Sequence, residues 1–233
     1  MIKNNNLSFE IYESLKKTNK LNQLRFQKKE IHQSLCRYSL VDNLVNRFPY
    51  DYWVVITFGY FPQKHDIEVV LSNAHYRIDR WLLTNLKLNQ LRIDQRSKWV
   101  CLPEKGSHGH LHYNCFIQLG EKPNTKSYGD EWHSMKDAFR TTFKSIEKLL
   151  GWKERTIQFK LYQRGGNQNA LRQAMYSTKE MRESYIENSG DDHFANFIRS
   201  WVDFEVKPIN WKSPKHLKTK PKSTGTLEEF FGN

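Results

Sequence analysis

Lys98-Trp-Val-Cys-Leu-Pro-Glu104, the turn 105–109, and His110-Leu-His-Tyr-Asn-Cys-Phe-Ile-Gln-Leu119 decide the reading of this chain. Two apolar runs flank a short turn that holds two glycines, the pattern of a β-hairpin. Pro103 marks the end or the edge of the first strand, because proline cannot donate to a ladder. Side chains alternate along a strand, so His110 and His112 are expected on one face. Neutral imidazole is the commonest metal ligand, and a same-face pair supplies half of a metal site. An HxH triplet alone is a weak signal; its neighbours give it meaning.

Outward from the hairpin, Tyr52-Trp-Val-Val-Ile-Thr-Phe-Gly-Tyr-Phe61 is a β-branched and aromatic run that reads as a strand, ended by Pro62. Residues 66–88 and 131–150 read as helices, the second with Met135, Phe139, Phe143, Ile146 and Leu149 or Leu150 on its apolar side. Thr156-Ile-Gln-Phe-Lys-Leu-Tyr162 alternates as a fourth strand. Beyond Arg164-Gly-Gly-Asn167, residues 168–183 and 192–205 read as helices. The order β–α–β–β–α–β–α predicts an α+β chain, with a ferredoxin-like, split βαβ antiparallel sheet. Residues 7–48 read mostly as helix, with a basic face that either lies on nucleic acid or is simply solvated. The expected division is 1–48 as an N-terminal helical extension, 49–185 as the sheet domain, 186–211 as a C-terminal helical segment, and 212–233 as a basic linker and tail.

The 233 residues carry a formal net charge of +12. That excess favours a polyanionic partner, nucleic acid before a membrane surface, although a plain basic protein would share it. No apolar run reaches the ~18 residues that a membrane span needs. The first residues lack the apolar stretch of a signal peptide. Cys36, Cys101 and Cys115 are odd in number and form no CxxC, so they read as reduced thiols in an intracellular protein. There is no internal repeat and no GxxxxGK[ST] phosphate loop.

The chemistry converges on three elements. His110 and His112 are the first. Glu104, at the end of the preceding strand, is the second, since a tight hairpin brings it near the histidines. Two nitrogens and one hard oxygen suit Mg²⁺ or Mn²⁺ polarising a phosphate, and the ligand types also admit Zn²⁺. His108 is either a fourth ligand or a solvated turn residue. Tyr176-Ser-Thr-Lys179 is the third element. Residues three apart share a helix face, so Arg172, Tyr176, Lys179 and Glu183 form a polar stripe, with Leu171, Ala174, Met175 and Thr178 facing the core. A phenol is a poor nucleophile at neutral pH, but adjacent cations favour phenolate. Alone, Tyr176 would read as an amphipathic tyrosine at a helix–sheet boundary.

Together these motifs resemble the HUH endonucleases, in the single-tyrosine replication-initiator (Rep) branch. The resemblance covers roughly residues 52–182. Val54-Val-Ile-Thr-Phe58 is similar to the family's first motif, His110-Leu-His112 to its histidine–hydrophobic–histidine motif, and Tyr176-Ser-Thr-Lys179 to its YxxK motif. It implies a metal held by Glu104, His110 and His112, and attack by Tyr176 on single-stranded DNA, with Lys179 at the phosphate. The products implied are a 5′-phosphotyrosine link and a free 3′-OH that primes rolling-circle replication of a plasmid, virus or mobile element. Arg172, Arg164 and Lys105 are the expected backbone contacts. A hairpin origin and a host helicase and polymerase are the implied partners, in a prokaryotic cytoplasm or a eukaryotic nucleus. A single-strand transposase of the same superfamily would share the site. A non-catalytic DNA- or RNA-binding module on a ferredoxin-like sheet, and a metal nuclease without a covalent intermediate, are the readings from other classes.

From Lys212 the chain turns basic and proline-containing, and it ends in Thr224-Gly-Thr-Leu-Glu-Glu-Phe-Phe231. Leu227, Phe230 and Phe231 resemble the hook by which archaeal and eukaryotic proteins dock on the sliding clamp (PCNA), with Thr224 where that motif carries glutamine. The other reading is a tail that packs back on its own domain.

Overall fold

The structure is a computed structural model and describes residues 8–21, 29–59, 62, 64–105, 110–123, 128–179 and 199–200. Its described residues divide between two compact units. One comprises the described residues of Met1–Pro49 and Gly165–Phe197, the other those of Tyr50–Arg164 and Ile198–Asn233.

The second unit is built on an antiparallel sheet. β1 (Tyr52–Phe58), β2 (Lys98–Lys105), β3 (Leu111–Gln118), β4 (Ile157–Gln163) and the two-residue β5 (Arg199–Ser200) lie in the order β4-β1-β3-β2-β5. The first four strands, in the order 4-1-3-2 with α3 (Lys64–Asn85) between β1 and β2 and α4 (Tyr128–Leu149) between β3 and β4, are compatible with the split βαβ plan. Every neighbouring pair is antiparallel. The expected β2–β3 hairpin forms, and its turn, 106–109, lies outside the described residues.

Alternation sets the two faces of this sheet. Tyr52, Val54, Ile56 and Phe58 of β1, Leu111, Tyr113, Cys115 and Ile117 of β3, and Trp99 and Cys101 of β2 are buried on one face. α3 contributes Ile67, Val70, Leu71, Ala74, Ile78 and Leu82 at helical spacing, and α4 contributes Met135, Phe139, Phe143 and Ile146. Leu149 is exposed, so the apolar stripe of α4 ends at Ile146. Polar groups fix the edges of this core. Tyr52 donates to Glu131 in the first turn of α4, and the Ile157 amide donates to Glu147 Oε1 at 2.8 Å, which ties the start of β4 to the end of α4. Gly120 sits where its backbone passes against the 3₁₀ turn Ile93–Gln95; a Cβ there would lie 2.3 Å from the Asp94 carbonyl oxygen.

The first unit is helical: α1 (Phe9–Lys17), α2 (Lys29–Asp42) with a π-helical extension at Asn43–Arg47, and α5 (Asn167–Ser177). Tyr12, Leu35 and Tyr38 form its core cluster, with Phe9, Leu21 and Met175 packed against it.

Two expectations are corrected. Residues 192–205 read as a helix, yet Arg199–Ser200 form β5 against β2, Val100 opposite Ser200. An edge strand offers unpaired backbone groups, and the run Phe197-Ile-Arg-Ser-Trp-Val202 is rich in the β-branched and aromatic residues that suit a strand. The helix expected over 168–183 stops at Ser177, with Thr178 as its C-cap, whose hydroxyl donates to the Ala174 carbonyl at 2.9 Å. The rest of 186–211, Glu183 and the whole of 212–233, including Leu227, Phe230 and Phe231, lie outside the described residues. Among the described residues no helix is long and apolar enough to cross a membrane.

Candidate active site

The metal-donor half of the expected site lies on the face of the sheet opposite the helix-covered core. Cross-strand register places Gln158, Thr57, His112 and Glu104 in one row across β4, β1, β3 and β2. Directly opposed residues point to the same face. Glu104 is therefore the neighbour of His112, as the hairpin predicts. Its side chain is only 6% exposed, and a buried carboxylate needs partners. Asn114, fully buried and next along that face of β3, donates from Nδ2 to Glu104 Oε2 at 2.7 Å. Asn114 Oδ1 has no hydrogen-bond partner among the described residues, a buried acceptor beside the carboxylate.

His112 is half-buried, and its Nδ1 lies 2.8 Å from Thr57 Oγ1. Each neutral tautomer makes a different bond there. With the proton on Nδ1, the imidazole donates to Thr57 and Nε2 keeps its lone pair, the form that ligates a metal. Neither Thr57 nor Asn114 stands out in the sequence as a site residue. The signal for both is periodicity: Thr57 is on the alternating face of β1 that would carry a polar row, and Asn114 is two residues beyond His112.

His110 falls one residue before β3, outside the ladder, and is half-buried. Among the described residues no group of three His, Cys, Asp or Glu is gathered to hold a metal ion. The opposed pair Glu104–His112 has the unpartnered Asn114 oxygen on the same face; His110 is not gathered with it. Lys105 ends β2, opposite Leu111.

The other half lies in the helical unit. Tyr176 is in the last turn of α5 and is 48% exposed. Lys179 lies in the turn beyond the helix, yet its ammonium reaches back over the Tyr176 ring, 3.9 Å from the centroid. The Lys179 ammonium is brought to the Tyr176 ring by the turn rather than by a continued helix face. Ala170, Ala174, Ser177 and Thr178 are the buried side of the segment, and Arg172 is exposed. Arg37 of α2 holds the end of the helix. It donates from Nη2 to the Met175 carbonyl at 3.0 Å and from Nε to Thr178 Oγ1 at 3.3 Å. A guanidinium at a helix C-terminus satisfies orphan carbonyls and complements the dipole. α1 and α2 thus buttress the segment that carries Tyr176.

Arg164 lies over the ring of Tyr50, 5.0 Å from its centroid. Burial pushes the Tyr50 phenol up to about 12, against the opposing pull of Arg164. Cys101 and Cys115 oppose each other across β2 and β3 as buried free thiols. Burial, and then the neighbouring Cys101 thiol, pushes the Cys115 thiol well above its ordinary range. Neither cysteine has the electropositive, accessible setting of a reactive thiol.

Comparison with protein-family models, with curated proteins and with solved structures finds no match to this chain.

Proposed function

We propose that this protein nicks and rejoins single-stranded DNA through a tyrosine, as a rolling-circle initiator of the HUH type. The observation that carries the reading is the buried Glu104 carboxylate set directly opposite His112. The Tyr176–Lys179 pair supports it.

Glu104 and His112 would hold Mn²⁺ or Mg²⁺, with Asn114 Oδ1 the nearest further acceptor on their face, and His110 would have to turn in from the residue before β3 to join them. A cation bound there supplies Lewis-acid polarisation of a phosphate. Asn114 fixes one carboxylate oxygen of Glu104, and Thr57 orients His112. Tyr176 Oη attacks the phosphorus and its proton passes to water; the P–O3′ bond breaks, and the 3′ oxygen takes a proton from water as the strand leaves with a free 3′-OH. The 5′-phosphate remains on Tyr176. Lys179, already against the phenol ring, stabilises negative charge on the attacking oxygen and the phosphate. One phosphodiester replaces another, so the step reverses and needs no nucleotide hydrolysis. The net charge of +12 suits the polyanionic substrate, and a clamp-docking tail would bring polymerase machinery to the new 3′ end.

A second reading, a non-catalytic single-strand-binding module, is favoured by the lack of a gathered three-donor cluster among the described residues. One assay separates them. The full chain is incubated with Mn²⁺ and end-labelled single-stranded oligonucleotides that contain candidate origin hairpins. The nicking reading expects an adduct that survives denaturation and disappears in Tyr176→Phe. Binding without adduct or cleavage supports the second reading, and cleavage that survives Tyr176→Phe removes the tyrosine from the chemistry. Truncation after Lys222 should abolish clamp binding and spare nicking; unaltered clamp binding refutes the tail's role.

A further inference from the structure

The row of residues that contains His112 is the first of three on its face that cross all four long strands. Lys160, Val55, Asn114 and Leu102 make the next, and Tyr162, Trp53, Phe116 and Val100 the one after. Phe116, Val100 and Leu102 are buried. At the β4 edge the character changes. Gln158, Lys160 and Tyr162 are all exposed, and Tyr162 keeps 39% of its surface in contact with solvent. Its ring stacks on that of Trp53, with centroids 4.9 Å apart and planes inclined by 29°. Trp53 is half-buried and lies directly opposite on the paired strand, so its ring braces that of Tyr162 at the surface. No carboxylate belongs to the β1 and β4 residues of this face: Trp53, Val55, Thr57, Gln158, Lys160 and Tyr162.

Tyr162 is not a lone exposed ring: it is stacked on Trp53, so two aromatic rings are held together at this edge. A flat ring beside a lysine on an open strand edge matches the π-face and phosphate of an unpaired nucleotide. We propose that Trp53 and Tyr162 form a stacking subsite for an unpaired base of single-stranded DNA, with Lys160 on the adjoining phosphate. This rests on the single-strand-nicking reading and deepens it. Trp53 and Thr57 are four residues apart on β1, a separation of about 13 Å at ~3.3 Å per residue. A base at Tyr162 would therefore set the register of the strand relative to the phosphate at His112. It would do so without reading sequence, because every base presents a π-face.

The test measures equilibrium binding of labelled oligothymidine to the full chain in a Tyr176→Phe background, where no covalent product forms. Loss of one base–aromatic stack corresponds to about a 5- to 150-fold weaker Kd. Tyr162→Ala should fall in that range, with an unchanged salt dependence. Tyr162→Phe should stay within about twofold, because the ring remains. Lys160→Gln should lower the salt slope of log K by about 0.7, the share of one phosphate contact to a single strand. Tyr162→Ala binding within twofold of the unsubstituted chain overturns the proposal. So does Tyr162→Phe losing as much as Tyr162→Ala, or Tyr162-dependent binding of oligouridine with no such dependence for oligothymidine. Should Tyr162→Ala fail to fold, photocrosslinking of 5-iododeoxyuridine DNA to the unsubstituted chain replaces it. Adducts at Tyr162 or Trp53 support the subsite, and adducts confined to other residues overturn it. The two readings fail separately. A chain that forms no phosphotyrosine adduct, yet binds through Tyr162, loses the nicking function and keeps the subsite. An adduct-forming chain indifferent to Tyr162 does the reverse.

Discussion

Replacing Thr57 by valine tests the donor half of the site at its most specific point. Valine keeps the branched shape and removes only the hydroxyl that meets His112 Nδ1 at 2.8 Å. Two consequences follow. His112 loses a neutral hydrogen bond with a net worth of about 1 kcal/mol, which is roughly fivefold in an equilibrium constant. In the metal-binding reading Nδ1–H donates to that hydroxyl, and replacing such an outer partner costs about 10- to 100-fold in metal affinity. The expected result is Mn²⁺ binding weakened about tenfold, with fivefold as the floor. Free Mn²⁺ is read by electron paramagnetic resonance, and the imidazole tautomer of metal-free protein by nitrogen-15 NMR.

The wild-type spectrum should show the His112 proton on Nδ1, and Thr57→Ser should restore both readouts because it returns the hydroxyl. His112→Ala supplies the reference. Suppose His112→Ala weakens Mn²⁺ binding while Thr57→Val leaves it within twofold; the positioning role of Thr57 is then refuted. If His112→Ala itself has no effect, the histidine is not a ligand and the metal reading fails instead. A His112 proton on Nε2 in the metal-free protein would contradict the tautomer argument directly.

Three further outcomes are expected. Arg37→Met removes a cationic donor from the Met175 carbonyl and the Thr178 hydroxyl; it should destabilise the helical unit by about 1.5–3 kcal/mol in urea titration and slow adduct formation, with Mn²⁺ affinity unchanged. Gly120→Ala would set a Cβ 2.3 Å from the Asp94 carbonyl oxygen and 2.5 Å from that of Arg96; these are backbone atoms, so a loss of about 1–3 kcal/mol is expected, and unchanged stability would disprove the close approach. Burial raises the phenols of Tyr12 and Tyr50 to about 12, with the Asp42 charge a second cause at Tyr12. Both keep a proton that an unfolded tyrosine loses near pH 10, so the folded state binds more protons between about 10 and 12. Stability should therefore be unaffected below pH 10 and fall as pH rises through that window. Thermal melting against pH checks the sign, and Tyr50→Phe should flatten the decline.

The parts of the fold that were legible in the sequence are those ruled by periodicity. Alternation in Tyr52–Phe58 and 110–118 placed the strands, and apolar spacing through Met135, Phe139, Phe143 and Ile146 placed the face of α4. Glu104 was legible because a hairpin fixes which residues oppose each other, and its partner is indeed His112. Contacts between segments far apart in sequence were not legible. Arg37 reaches Thr178 across 141 positions, and Thr57 reaches His112 across 55. No local spacing encodes such pairs, since they arise only when the chain has folded. β5 was missed for a related reason: its conformation is decided by the backbone groups of β2 rather than by its own pattern of apolar residues.

The division of the chain gives the proposed chemistry a testable logic. Glu104, His112, Asn114 and Thr57 belong to the sheet unit, while Tyr176, Lys179 and Arg37 belong to the helical one. Metal affinity should then respond to substitutions in the first set and be insensitive to the second. On the proposed chemistry, adduct formation should be lost on substitution in either set. A Tyr176→Phe protein that binds Mn²⁺ and DNA normally yet forms no adduct, beside an His112→Ala protein that binds DNA but not Mn²⁺ and also forms none, is the pattern that two cooperating halves demand. A metal-dependent nuclease without a covalent intermediate would break it, because cleavage would then survive the loss of Tyr176 and Lys179 and depend on His112 alone. A simple binding module would break it differently, with no adduct from the unsubstituted chain and DNA binding carried by the β4 edge.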